Sequence, residues 1–185
     1  MKALLLTGRP GIGKTTAIRR VANALAGERI AGFYTEEQRS RGSRTGFQIV
    51  TLDGRSRPMA GIDIRSPQRV GKYGVDVTVI DAVAETALAP EAAEVFLVDE
   101  IGKMECASRS FVASMRRLLA ADRVVVASVA LKGDGLIAEV KRLPGIDLRE
   151  VTAQNREHLP EELIGWVRDR LADPARKGGK RCASI

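Results

Sequence analysis

At 185 residues, 44% hydrophobic and 29% charged, the chain has the size and composition of one folded domain with a substantial core, which excludes a disordered chain. No apolar run approaches the ~20 residues that cross a bilayer, and two cysteines, Cys106 and Cys182, exclude a disulfide framework and point to a reducing cytoplasm. The net charge of +7 divides into +9 over residues 1–72, −6 over 73–167 and +4 over 168–185, a bias that attracts phosphate groups but selects neither nucleic acid nor a small phosphorylated ligand.

Met1 to Thr7 is apolar, short and followed at once by a glycine-rich turn, so it reads as a buried parallel strand and not as a signal peptide. Ile18, Val21, Ala22 and Leu25 then recur at helical spacing, with Gly27 as the expected stop. Ile30–Thr35 reads as a second strand. Thr45–Leu52 and Ser56–Ala60 read as a hairpin turning at Asp53-Gly54. Between Glu36 and Lys72 the chain is rich in Arg and Gly, which predicts a hairpin excursion with mobile loops and no second domain. Asp76–Ile80 has strand character and Ala82–Leu88 suits a short helix. Val95–Val98 is a buried strand, Ser108–Leu119 a helix, and Val124–Val126 and Leu148–Val151 further strands. Leu159, Leu163, Val167 and Leu171 place one apolar stripe on a last helix. Alternating strands and helices predict a single α/β domain over 1–173, with a mostly parallel central sheet, an added antiparallel hairpin and helices on both faces. Residues 174–185 read as a basic, disordered tail.

The most informative segment is Gly8-Arg9-Pro10-Gly11-Ile12-Gly13-Lys14-Thr15, which matches G-x-x-x-x-G-K-[ST] at every fixed position, between an apolar strand and an amphipathic helix. Glycines let backbone N–H groups turn inward around phosphates, and the helix N-terminus adds partial positive charge. Lys14 reaches β- and γ-phosphates, the Thr15 hydroxyl ligates Mg²⁺, and Thr16 and Arg9 stand near enough to assist.

The second signal is the apolar strand Val95-Phe96-Leu97-Val98 ending in Asp99-Glu100. An acidic side chain at the C-terminal tip of a parallel strand projects into the crevice where ligands of open α/β sheets sit. Asp99 fits a magnesium-holding role, and Glu100 is placed to orient or deprotonate an attacking water. Charge on a γ-phosphate also needs a cation beyond the loop, for which Lys103, Arg69, Arg44 and Arg156 are candidates.

Together, Thr7 to Thr16 and Val98-Asp99-Glu100-Ile101-Gly102-Lys103-Met104-Glu105 resemble the cancer-related nucleoside-triphosphatase family, small P-loop proteins also found in thermophiles. Gly32 to Glu37, Arg69 to Tyr73 and Thr152 to Arg156 are similar to further patterns of that family. The resemblance spans about residues 1 to 170. It implies slow hydrolysis of ATP, GTP and other triphosphates by one α/β domain with a mixed sheet. It also implies that Gly8–Thr15 and Val95–Gly102, including Ile101 and Gly102, form the nucleotide-binding segments. One departure stands out: Ala127-Ser128-Val129-Ala130 occupies the place of an expected Gly-Thr-Ile-Pro, which puts any backbone or hydroxyl contact there in question.

Asn155 and Arg156 follow a late strand, where P-loop proteins often read the base; they also suit a loop and helix cap. A guanine-selective site would want Asp three residues after the Asn, but His158 stands there, so broad base use is expected. Glu36 and Glu37 face either the crevice or solvent. His158 reads as a cap or surface group and Trp166 as packing. Cys106 lacks partners at metal spacing. Cys182-Ala183-Ser184-Ile185 has only the outline of a prenylation box.

These readings point to a cytoplasmic Mg²⁺-dependent triphosphatase, with a monomer favoured, no membrane attachment and no nucleic-acid motif. Two rivals stand beside it. One is a phosphotransferase for a small acceptor, although only Arg39, Arg41 and Arg44 suggest a lid. The other is a nucleotide-gated switch that binds RNA or protein.

Overall fold

The computed structural model describes residues 3–173. The expected tail and its Cys182–Ile185 box lie outside the described residues. Nine strands form one sheet in the order β5-β6-β4-β3-β2-β7-β8-β1-β9. They are β1 (Ala3–Thr7), β2 (Ile30–Ser40), β3 (Ser43–Thr51), β4 (Ser56–Gly61), β5 (Arg69–Val70), β6 (Tyr73–Val75), β7 (Val95–Ile101), β8 (Val124–Val129) and β9 (Ile146–Glu150). The helices are α1 (Lys14–Ala24), α2 (Val77–Ala87), α3 (Arg109–Ala120), α4 (Leu136–Val140) and α5 (Leu159–Ala172). Neighbours from β2 through β9 in this order run parallel, and the remaining pairs run antiparallel.

Alternation along the parallel strands splits the core into two layers. Leu4 and Leu6 of β1 join Val95, Leu97, Val124 and Val126 beneath Ile18 and Val21 of α1 and Leu163, Trp166 and Val167 of α5. Leu5, Phe96, Val98, Val125 and Ala127 face the other way, onto Ile80 of α2 and Phe111, Met115 and Leu118 of α3. Each such side chain contributes roughly 1.5–3 kcal/mol on burial, so both layers hold the strand tips in fixed register. Trp166 packs in this core, and the Arg170 guanidinium stacks 3.7 Å from its ring centre.

Three local expectations change. Asp76–Ile80 is no strand: the Asp76 carboxylate accepts from the Thr78 and Val79 amides, caps α2 and starts the helix at Val77. The β-branched residues that suggested a strand, Val77 to Ile80, bury only one helical face, and local capping outweighs their propensity. α1 ends at Ala24, before Gly27. β2 runs to Ser40, past the expected end at Thr35 and into the region where mobile loops were expected, while β3 and β4 form the hairpin read at Thr45–Leu52 and Ser56–Ala60 and extend the sheet. β5, β6 and α4 had no counterpart in the sequence reading.

β1 lies at the switch point of the sheet. The connection from β1 leads to β2 on one side, while β8 leads past β1 to β9 on the other. The crevice beside its C-terminal end is where ligands of open α/β sheets bind.

Candidate functional site

The loop after β1 turns on Gly8 and Gly13. Gly13 has φ 120° and directly precedes α1, a conformation that side-chain-bearing residues avoid. A Cβ on Gly8 would stand 2.9 Å from the Val151 carbonyl, so the loop closes against the end of β9 only with glycine. Lys14 is the first helical residue. It is buried, and its ammonium donates to the Gly8 carbonyl at 3.1 Å and pairs with Glu100 at 3.4 Å. The lysine is thereby laid back across the loop with its charge at the mouth of the crevice.

Thr15 points from the first turn of α1 toward the tip of β7. Its hydroxyl donates to Asp99 Oδ2 at 2.6 Å, and the Ser128 hydroxyl donates to Asp99 Oδ1. Asp99 is almost completely buried. Burial pushes its carboxyl above the usual range, opposed by the two hydroxyls, by Lys14 and by a backbone hydrogen bond from Thr35. The departure at Ala127–Ala130 therefore keeps a hydroxyl: Ser128 at the end of β8 fixes the carboxylate that Thr15 also touches.

Glu100 turns the other way, into the open crevice. Burial raises its pKa, against the pull of Lys14. Beyond it, Gly102 separates two carboxyls: a Cβ there would lie 2.8 Å from Glu105 Oε2 and 3.2 Å from Glu100 Oε1. Any larger residue would push one of them aside, which accounts for the Ile-Gly-Lys step. Glu105 itself is buried, and desolvation pushes its carboxyl up to about 8, with Glu100 and Asp99 adding to the shift.

Loop residues Gly8, Pro10, Gly11, Lys14 and Thr15 line one cavity of about 940 Å³ with Asp99, Glu100 and Gly102. Val95, Phe96, Leu97, Val98 and Ile101 do not reach it; they are completely buried in the two core layers and serve to hold Asp99 and Glu100 at the strand tip. Ile12 packs against the α1–α5 layer, and Arg9 and Thr16 are exposed. Of the four candidate cations, Lys103 and Arg44 line the cavity. Arg69 instead donates to the Lys72 carbonyl at 2.8 Å, and Arg156 pairs with Glu157 at 3.3 Å beside Gly13. The Asn155 amide ties its own loop, accepting from the Thr152 N–H at 2.8 Å and donating to the Glu150 carbonyl at 2.9 Å. Glu37 faces the cavity, whereas Glu36 pairs with Arg19 at 3.1 Å. Cys106 is half-buried, its thiol pushed up to about 12 by burial.

Sequence reading left Glu105 without a role and missed Lys141, whose ammonium donates to the Ala130 and Leu131 carbonyls at 2.6 and 2.9 Å and braces the loop after β8. It also missed Thr35, Phe47, Met59 and Val70, which reach the cavity from distant strands. Among the described residues, no cluster of three or more His, Cys, Asp or Glu could hold a metal, and no helix is long and apolar enough to cross a membrane.

A family model described as NTPase matches residues 3–164. The nucleoside-triphosphatase THEP1 of Thermotoga sp. (strain RQ2) is 37% identical over 167 residues, covering 89% of this chain and 95% of its own. The human cancer-related nucleoside-triphosphatase is 33% identical over 181 residues, with 89% and 95% covered. The crystal structure of THEP1 from Aquifex aeolicus superposes with a TM-score of 0.82 at 36% identity, covering 89% of this chain and 98% of that one. The solution structure of the human protein gives 0.77 at 33% identity, covering 91% and 98%.

Proposed function

The chain belongs to the NTPase family, P-loop nucleoside-triphosphatases, and from that premise we propose that it hydrolyses ATP, GTP and other nucleoside 5′-triphosphates to diphosphate and phosphate, slowly and with Mg²⁺. The observation that carries the reading is the contact of the Thr15 hydroxyl with the buried Asp99 carboxyl, 2.6 Å apart beside a tethered Lys14. Both are hard oxygen donors. A magnesium ion, which keeps several waters and takes phosphate oxygens, needs only one or two such protein groups. Asp99 is also a carboxyl whose burial opposes ionisation, and a bound cation would relieve that cost. The residues present therefore fit the ion, which would neutralise charge developing on the β- and γ-phosphate oxygens.

The loop amides and Lys14 bind the phosphate chain, and Lys14 leaves Gly8 O and Glu100 to meet the γ-phosphate. Glu100, released from that pair, orients a water and accepts its proton. Val95 to Val98 keep the two acids at fixed positions. A cation fixed on the γ-phosphate is worth ~10³–10⁵ in rate. Here Lys103 and Arg44 are exposed, and Arg44 is also tied to Glu37, which supports slow turnover. Broad base use is supported by the Asn155 amide being spent on its own loop, which leaves Arg156 as the side chain near a base.

The experiment is phosphate release from ATP, GTP and CTP with Mg²⁺ and after chelation. Glu100→Gln should retain nucleotide and lose about 10²–10⁴-fold in rate, and Lys14→Ala should lose both binding and release. Unchanged turnover in Glu100→Gln would remove Glu100 from the mechanism. A strong preference for GTP over CTP would remove broad base use.

A further inference from the structure

A second cavity, of about 620 Å³, shares no lining residue with the one that holds Glu100. It lies between the chain that follows β4 and the first turns of α2 and α3, and its size is that of a small-molecule site. Its walls are held in place. A Cβ on Gly74 would stand 1.9 Å from the Ile64 carbonyl, so the wall Ile64–Gln68 rests directly on β6. The Val75 amide donates to the Gln68 carbonyl at 2.9 Å, and the Gln68 amide donates to the Ser66 hydroxyl oxygen at 3.1 Å. On the opposite wall, Ser108 accepts from the Phe111 amide at 2.8 Å, and its hydroxyl donates to Asp81 of α2.

Arg65 lines this cavity from the loop and Arg109 from the start of α3. Arg39, Arg44, Arg55 and Arg116 are each paired with a carboxylate. Among the described residues, Arg65 and Arg109 have neither an ion pair nor a hydrogen bond, although Asp76 and Asp81 line the same cavity. Both aspartates spend Oδ1 locally. Asp76 Oδ1 accepts from the amide and hydroxyl of Thr78 and from the Val79 amide, and Asp81 Oδ1 accepts from Ser108. Their Oδ2 atoms meet no donor among the described residues. The cavity therefore presents unused guanidinium N–H groups and unused carboxylate lone pairs that do not answer each other, beside apolar Ile64, Val75 and Val77. A guanidinium fork matches the oxygens of a phosphate. A carboxylate oxygen accepts from a sugar hydroxyl, as the acid of a dinucleotide site does. A simple anion would satisfy the arginines and leave the aspartates unanswered.

We propose that this cavity is a separate binding site for a sugar phosphate, free or as the ribose 5′-phosphate of a nucleotide. Arg65 and Arg109 take the phosphate, Asp76 and Asp81 the hydroxyls, and the apolar residues the carbon face. The site stands apart from the loop after β1, so the inference does not rest on the triphosphatase reading.

The test is calorimetric titration with ribose 5-phosphate, AMP, ribose and inorganic phosphate at millimolar concentrations, with and without a saturating non-hydrolysable ATP analogue and Mg²⁺. Ribose 5-phosphate or AMP should bind at one site per chain and keep its affinity within about two-fold when the analogue is present. Binding of both assigns the ribose phosphate as the recognised part, and binding of AMP alone assigns the nucleotide as the source. Arg65→Ala and Arg109→Ala, both on exposed side chains, should each weaken binding about ten-fold or more and leave phosphate release from ATP within about two-fold. Arg57→Ala, an exposed arginine outside the cavity, should leave binding unchanged. No saturable binding of ribose 5-phosphate or AMP, or binding unaffected by both cavity variants, overturns the proposal. So does inorganic phosphate binding as tightly as either, or displacement of both by the ATP analogue, which would place them at the loop after β1.

Discussion

In the parallel half of the sheet, β1 and β8 are buried along their whole length, while β4 in the antiparallel half exposes Ser56, Arg57 and Pro58 and buries only Met59 and Ala60. The two halves hold their polar groups by different means. At the tips of β7 and β8, Asp99 is fixed by the hydroxyls of Thr15 and Ser128 inside a desolvated pocket. On the β2–β3 hairpin, Glu37 is held by exposed Arg39 and Arg44. Buried, hydrogen-bonded charges keep their geometry, whereas surface ion pairs are screened and exchange partners. The parallel half thus supplies the preorganised chemistry, and the antiparallel half an adaptable wall.

Four substitutions put that contrast at risk. The largest effect concerns Glu105, whose carboxyl is pushed from 4.5 to about 8 by burial. Between these values the unfolded chain is ionised and the native one protonated, so stability is full below pH 4.5 and falls as pH rises to about 8. The total loss is on the order of 5 kcal/mol. Glu105→Gln should flatten this slope in denaturant titrations at several pH values, and an unchanged slope would assign it to another group. Next, Leu5→Ala in the fully buried β1 should cost about 2–5 kcal/mol in unfolding free energy. A loss below about 1 kcal/mol would mean that the parallel half is less tightly packed than its burial implies.

Ser128→Ala removes one donor from a buried carboxylate and should cost about 1–2 kcal/mol, with the Mg²⁺ needed for half-maximal phosphate release rising several-fold. Ser128→Thr should restore both readouts. The smallest effect belongs to the hairpin: Arg39→Ala breaks an exposed pair and should change stability by at most about 0.5 kcal/mol, less in high salt. A larger loss there would erase the distinction between the two halves.

How much of the site is legible before folding follows the same division. The loop Gly8–Thr15 and the acids Asp99 and Glu100 are readable because their geometry is local: a strand, a tight turn and the next helix or residue. The run Asp76–Ile80 misled because β-branched residues read as strand when their capping aspartate is overlooked. Ser128 could be recognised only as a departure, since its purpose is a contact with Asp99, 29 positions away.

The sequence by itself determined the α/β class, the phosphate loop, the acidic strand tip and the kinship they imply, because each rests on periodicity or on spacing within one turn. Tertiary structure decided which of four candidate cations face the cleft, that Val95–Val98 are support and not lining, and that β2 and β3 help to line the cavity that holds Glu100. Strand pairing brings Phe47, Val70 and Leu131 to one cavity from separate segments. No local pattern encodes such a meeting, since it depends on the order and register in which whole strands bury their apolar faces.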